Sequence, residues 1–143
     1  MKKTVMFISS ALFSSMIHAA ALYSLNKTQV QQTFINKTLL SIGVDNLNCK
    51  TVNNSNSVFL DGHGIVYGKM GHQPKNQPQY DKGTYKIADN GTIYIKWNQW
   101  DDSKKLCFHV FEAKNAYITI DCQGLYHSTF MKSDIKTGNK LLH

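Results

Sequence analysis

The chain has no arginine; every one of its 16 basic residues other than histidine is a lysine. Arginine's planar fork grips phosphate, carboxylate and guanine through two bonds at once. Its absence argues against sequence-specific nucleic-acid readout, so no specific nucleic-acid partner is expected. The lysines are dispersed and read as solvated surface, and the net charge of +7 leaves room only for non-specific attraction to anionic surfaces. Internal repeats with a period of about 20–50 residues are missing as well. So are G-x-S-x-G, H-x-x-x-H and C-x-x-C, which removes the local signatures of a serine nucleophile or a compact metal site. Beyond the N-terminus no apolar run approaches the roughly 20 residues a membrane-spanning helix needs. Proline is scarce, with both copies inside 71–79.

What is present begins with an address. Lys2 and Lys3 precede a short apolar run from Val5 to Ile17, followed by the small residues Ala19, Ala20 and Ala21. This pattern reads as a signal peptide over 1–20, with cleavage after Ala19 or Ala21; an uncleaved anchor is the alternative. The mature chain is then expected to be exported, periplasmic or extracellular, with no transmembrane segment. Residues 21–143 are long enough for one domain with one modest core.

An oxidising destination gives weight to the three cysteines. The stretch Lys105–Gln123 reads as two strands joined by a tight turn at Lys114–Asn115, where Asn suits the left-handed conformation such a turn needs. That loop pairs Phe111 with Ile118, His109 with Ile120 and Cys107 with Cys122. A slip of one residue would put the cysteines on opposite faces, so a disulfide selects this register. The pair should be hydrogen-bonded, with Cα atoms about 5.5 Å apart, a distance a disulfide spans. Two buried free thiols are the alternative. Cys49 is then the unpaired thiol: a buried side chain, a bridge to a second copy in an otherwise monomeric protein, or a nucleophile.

The rest of the chain reads as a meander. Asn26 and Gln29 are spaced as a capping box, with Leu25 and Val30 as a staple, for a short helix over about 27–35. Strands follow at Leu39–Ile42, Ser57–Leu60, Ile65–Met70, Lys82–Ile87 and Thr92–Trp97, then the cysteine hairpin and Leu125–Met131. Residues 44–56 read as loop, with a short strand around Cys49–Val52. Turns fall at Asp61–Gly64, Asp89–Gly91 and Gln123–Gly124. In Thr92–Trp97 the residues Ile93, Ile95 and Trp97 share one face. The expected fold is all-β with one short N-terminal helix. About seven or eight antiparallel strands form an up-and-down meander over about 37–132, closing as a small barrel or strongly curled sheet, with a polar tail behind. The helix is expected to cover one open end.

One resemblance rests on particular residues. A short helix ends near N-K-T; then come V-F-L-D-G-H-G, G-T-Y-K-I-A-D-N-G-T-I-Y-I-K-W, L-C, D-C and T-G-N. Over about Leu25 to Asn139 the chain resembles a domain-of-unknown-function family of small exported bacterial β proteins, whose pattern is a G-T-W strand, L-C, a second Cys and G-N. It departs at Tyr85, where the pattern has Trp, and at Cys49, which the pattern lacks. The resemblance implies a lipocalin-like architecture and no assigned activity or catalytic residue.

Candidate chemistry is thin. His63, His72, His109 and His127, with Asp61 and Asp121, show no ligand spacing, so no metal site and no cofactor are expected. His109 shares a face with Cys107 and Phe111 and reads as a satisfied core histidine. Asp101–Asp102 are adjacent carboxylates in a polar loop, which solvation explains. Trp100, beside them, breaks the strand alternation and is read as an exposed functional aromatic. With Tyr80, Asp101 and Asp102 it forms the candidate binding surface, on a rim made by Gly71–Gln79 and Asn98–Lys104. The expected role is a non-catalytic binding module for a small ligand. The alternatives are an inhibitor or accessory protein acting on a secreted or envelope protein and, third, a hydrolase. A hollow barrel would favour the first; a filled one with exposed Trp100 and Tyr80, the second.

Overall fold

A computed structural model describes residues 22–45, 50–52, 55–71 and 75–141. The signal segment over 1–20, Cys49 and His72 lie outside the described residues.

The elements run α1 (Lys27–Phe34), β1 (Lys37–Asp45), β2 (Lys50–Val52), β3 (Asn56–Leu60), β4 (Ile65–Met70), β5 (Tyr80–Ile87), β6 (Ile93–Trp97), β7 (Lys105–Glu112), β8 (Ala116–Asp121), β9 (Tyr126–Met131) and β10 (Lys136–Thr137). β1 pairs with β3, and each later strand pairs with the next as far as β9. β9 returns to β1, with Ser41 opposite Phe130 and Ile42 opposite Thr129. Eight antiparallel strands therefore close into a barrel, which leaves its circuit with no free edge. β2 and β10 add to β1 outside that circuit.

Alternation sorts the wall. Val66, Tyr85, Ile95, Trp97, Phe108 and Val110 are buried, while Lys82, Lys86, Lys96 and Lys105 are exposed. Turn chemistry closes the hairpins. Asp61 and Asp121 play one role twice, in D-G-H-G and D-C-Q-G. The Asp61 carboxylate accepts from the N–H groups of His63 and Ile65, each at 2.8 Å; that of Asp121 accepts from Gln123 and Leu125, each at 2.9 Å. The fourth residue of each turn has φ near +87°, at Gly64 and Gly124, a region glycine occupies without steric cost. Both aspartates are thereby committed to structure.

One end of the barrel is plugged by α1. The capping box forms as expected, with Asn26 Oδ1 accepting from Gln29 N–H at 3.0 Å and Gln29 Oε1 from Asn26 N–H at 2.9 Å. Such a cap is worth about 1 kcal/mol, too little to hold an eight-residue helix without packing. The packing comes from Val30, fully buried, and Phe34, whose ring meets Tyr117 edge-on at 5.4 Å and Phe130 at 6.0 Å. Lys27 also pairs with Asp89, in the β5–β6 turn, at 2.8 Å.

The cysteine hairpin has the expected register. His109 faces Ile120, Phe111 faces Ile118, and the sulfurs of Cys107 and Cys122 lie at disulfide distance with their Cα atoms 5.5 Å apart. The face is the other one. Phe108 and Val110 point into the barrel, and Cys107 and His109 lie half-exposed on the outer wall. His109 is satisfied there rather than in the core, by Thr92 Oγ1 at 3.2 Å.

Two further expectations change. The first strand, expected at Leu39–Ile42, runs from Lys37 to Asp45, while β2 is the short strand expected around Cys49–Val52. The tail is not loose. β10 pairs with the start of β1, Thr38 Oγ1 donates to Gly138 C=O at 2.7 Å and accepts from Lys140 N–H at 2.9 Å, and Leu141 is buried. The ladder runs Thr38, Phe59, Tyr67, Lys82, and Leu141 lies beside Tyr67 and Lys82. The tail thus straps the outer wall, which accounts for the burial of outward-facing Thr38 and Phe59.

Candidate ligand cavity

The barrel is hollow. A cavity of about 380 Å³ lies inside it, floored by Phe34 of the plug and walled by all the barrel strands except β5. That volume falls within the roughly 300–1,000 Å³ of small-molecule sites. Two other depressions, about 690 and 520 Å³, are shallow features of the outer surface. At the end away from α1, Asp101, Tyr126 and His127 line the cavity and are exposed to solvent, marking its mouth.

One wall is aromatic. Trp97 ends β6, and Trp100 begins a short 3-10 segment, Trp100–Ser103. The ring centroids are 4.7 Å apart. Trp100 is buried, 4% exposed, which corrects its reading as a surface aromatic. Three contacts pull it in. Its N–H and that of Gln99 both donate to the buried Asp81 carboxylate at 2.8 Å. Its indole N–H donates to Pro78 C=O at 2.8 Å, tying it to the 71–79 segment. Its six-membered ring occupies the space above Gly68 of β4, where any Cβ would run into Trp100 and Trp97. Asp101, Asp102 and Ser103 then follow with φ of 53°, 53° and 57°, a left-handed run rare for residues with a side chain. This run turns the chain out again and leaves Asp101 at the mouth.

The opposite wall carries a polar chain. Thr119 and Ser128, both buried, share a hydrogen bond of 2.6 Å between hydroxyls, and Ser128 Oγ lies 3.2 Å from His127 Nδ1. A β-bulge supplies the histidine. Thr119 pairs with Ser128 and Ile120 with Tyr126, so His127 is the extra residue with no partner. Bulges re-aim side chains. Here the bulge swings the imidazole onto Phe108, with centroids 4.3 Å apart, and both rings line the cavity. Solvent reaches the outer edge of the ring while protein crowds its inner face. That crowding lowers the imidazole below the ordinary histidine range, against the opposing pull of Asp101 and Asp121. His127 is therefore neutral at pH 7 and can accept a hydrogen bond.

The expected site residues divide. Trp100 and Asp101 line the cavity. Tyr80 is 45% exposed on the outer wall, with the Lys69 ammonium 5.3 Å from its ring, and Asp102 is exposed and 3.3 Å from the Lys104 ammonium; neither lines it. Thr119 and Ser128 are not among the expected site residues, and His127 is weighed there only as a metal ligand, because the Y-H-S-T-F alternation carries no mark of the bulge. Among the described residues no three His, Cys, Asp or Glu side chains converge as a metal site would require, and no helix is long and apolar enough to cross a membrane.

The fold and site define a closed eight-stranded antiparallel barrel, plugged at one end and open at the other. Comparison with family models, with curated proteins and with solved structures finds no match.

Proposed function

We propose that this chain is an exported, non-catalytic binding module that takes one small, largely apolar ligand into the barrel. The observation that carries the reading is the cavity of about 380 Å³, lined mainly by apolar and aromatic side chains, with Asp101, Tyr126 and His127 at its mouth. That is the composition of a ligand pocket, where apolar walls supply affinity and a few polar groups fix orientation. Export rests on the N-terminal pattern and agrees with the cystine. The lipocalin-like resemblance points the same way. An inhibitor or accessory role loses its main support, since Trp100 faces the cavity and not a partner.

The test uses the neutral fluorescent probe N-phenylnaphthylamine, whose emission rises in apolar surroundings. Saturable uptake at one site per chain is expected. Val58→Phe, which fills the cavity from β3, should weaken it by about tenfold or more. Ser128→Leu fills it from β9, on the other side of β1, and melting curves of both variants identify any that fail to fold. No saturable uptake by the wild type, or equal uptake by folded variants, would overturn the reading.

A further inference from the structure

Among the described residues the cavity wall holds no lysine; its ionisable side chains are Asp101, His127 and the phenol of Tyr126. Strand alternation sends the lysines of β5 and β6 outward, and arginine is missing from the chain altogether. A ligand carboxylate would therefore enter an apolar barrel without a counter-ion, beside a fixed negative charge, a costly burial.

The wall does hold what a cation needs. Asp61, Asp81 and Asp121 spend their carboxylates on backbone N–H groups, and Asp89 and Asp102 pair with lysines. Asp101 differs. It lines the mouth, and among the described residues no hydrogen bond or ion pair engages its carboxylate. The indoles of Trp97 and Trp100 line the same cavity, and aromatic faces attract ammonium groups. Neutral His127 offers an acceptor across the mouth.

We propose that the cavity selects a ligand bearing a protonated amine, with the ammonium seated at Asp101 beside the tryptophans and the apolar body lying toward Phe34. This rests on the reading of the barrel interior as a ligand site. The protein's net positive charge works against drawing a cation from afar. Selection therefore comes from the local carboxylate and rings.

The experiment displaces N-phenylnaphthylamine with three ligands sharing one body: naphthylethylamine, naphthylethanol and naphthylacetate. The amine is expected to bind about tenfold tighter than the acetate, with the alcohol between them. Asp101→Asn should erase the preference for amine over alcohol, while Asp102→Asn, outside the cavity, keeps it. If the acetate matches or beats the amine, or Asp101→Asn keeps the preference, the inference is wrong and the cavity reading stands. If neither the probe nor any of the three binds, the cavity reading fails and takes the inference with it.

Discussion

The two ends of the barrel are built by different means. At the plugged end, apolar burial does the work. Phe34 and Val30 fill the interior, Leu25 N–H donates to Val110 C=O at 2.8 Å, and short turns at 61–64 and 88–91 close the strands. At the open end the β4–β5 and β6–β7 connections are longer. The Trp100–Ser103 turn is held by hydrogen bonds to Asp81 and Pro78, and β7 is bound to the start of the β8–β9 turn by a cystine. An end sealed by burial is stable because it is dry. An end that must admit a ligand keeps solvent at its rim and has to be held by directed bonds instead.

The largest effect should come from the plug. Phe34→Ala removes a ring that is 1% exposed and joins the cavity to the space left behind. Loss of about 3–5 kcal/mol is expected in chemical denaturation. A loss under about 1 kcal/mol would mean that the helix is an ornament and that both ends are held alike.

A smaller effect is expected from the staple at the open end. The Cys107–Cys122 loop spans 15 residues, for which loop entropy predicts about 3 kcal/mol in the disulfide-free double variant Cys107→Ser, Cys122→Ser. Both side chains lie on the outer wall, so affinity for the fluorescent probe should not change. Mass spectrometry of the wild type before and after reduction checks the link itself. An unchanged denaturation midpoint, or a variant that no longer takes up probe, would break the division between what holds the rim and what forms the site.

The difference between the ends also governs what could be read in advance. The capping box and the D-x-x-G turns are local, because their donors and acceptors lie within four residues. The register of the cysteine hairpin was legible because a two-residue loop fixes pairing. The face it presents was harder to read, since the disulfide and Phe111 drew Cys107, His109 and Phe111 inward although Leu106, Phe108 and Val110 form the more apolar row. Trp100 sits among polar neighbours in W-D-D-S, yet its burial depends on Asp81 and on the missing side chain of Gly68, both remote in sequence. The tail reads as polar because its contacts to Thr38 use backbone groups. Asp101 was legible as a loop carboxylate. That it lines the barrel cavity, alone among the described carboxylates, was not.

The smallest effect belongs to His127, which stands at the border between the two regimes. Its inner face packs on Phe108 and its outer edge is wet. Folding lowers its proton affinity, with desolvation outweighing Asp101 and Asp121. The unfolded chain therefore takes up the proton first as pH falls. The contribution of neutral His127 is fully present above the ordinary histidine pKa of about 6.5 and is lost as pH drops from there through the lower folded value. Replacing it with glutamine, which cannot titrate, should flatten this part of the stability profile. The measurement is the difference in denaturation midpoint between about pH 7 and pH 5, compared for wild type and His127→Gln. Solvent at the ring edge limits the change, so the wild-type slope should be steeper by a modest amount. Equal slopes would place the imidazole in free solvent. The bulge would then aim nothing into the cavity, and the polar end of the site would lose its imidazole acceptor.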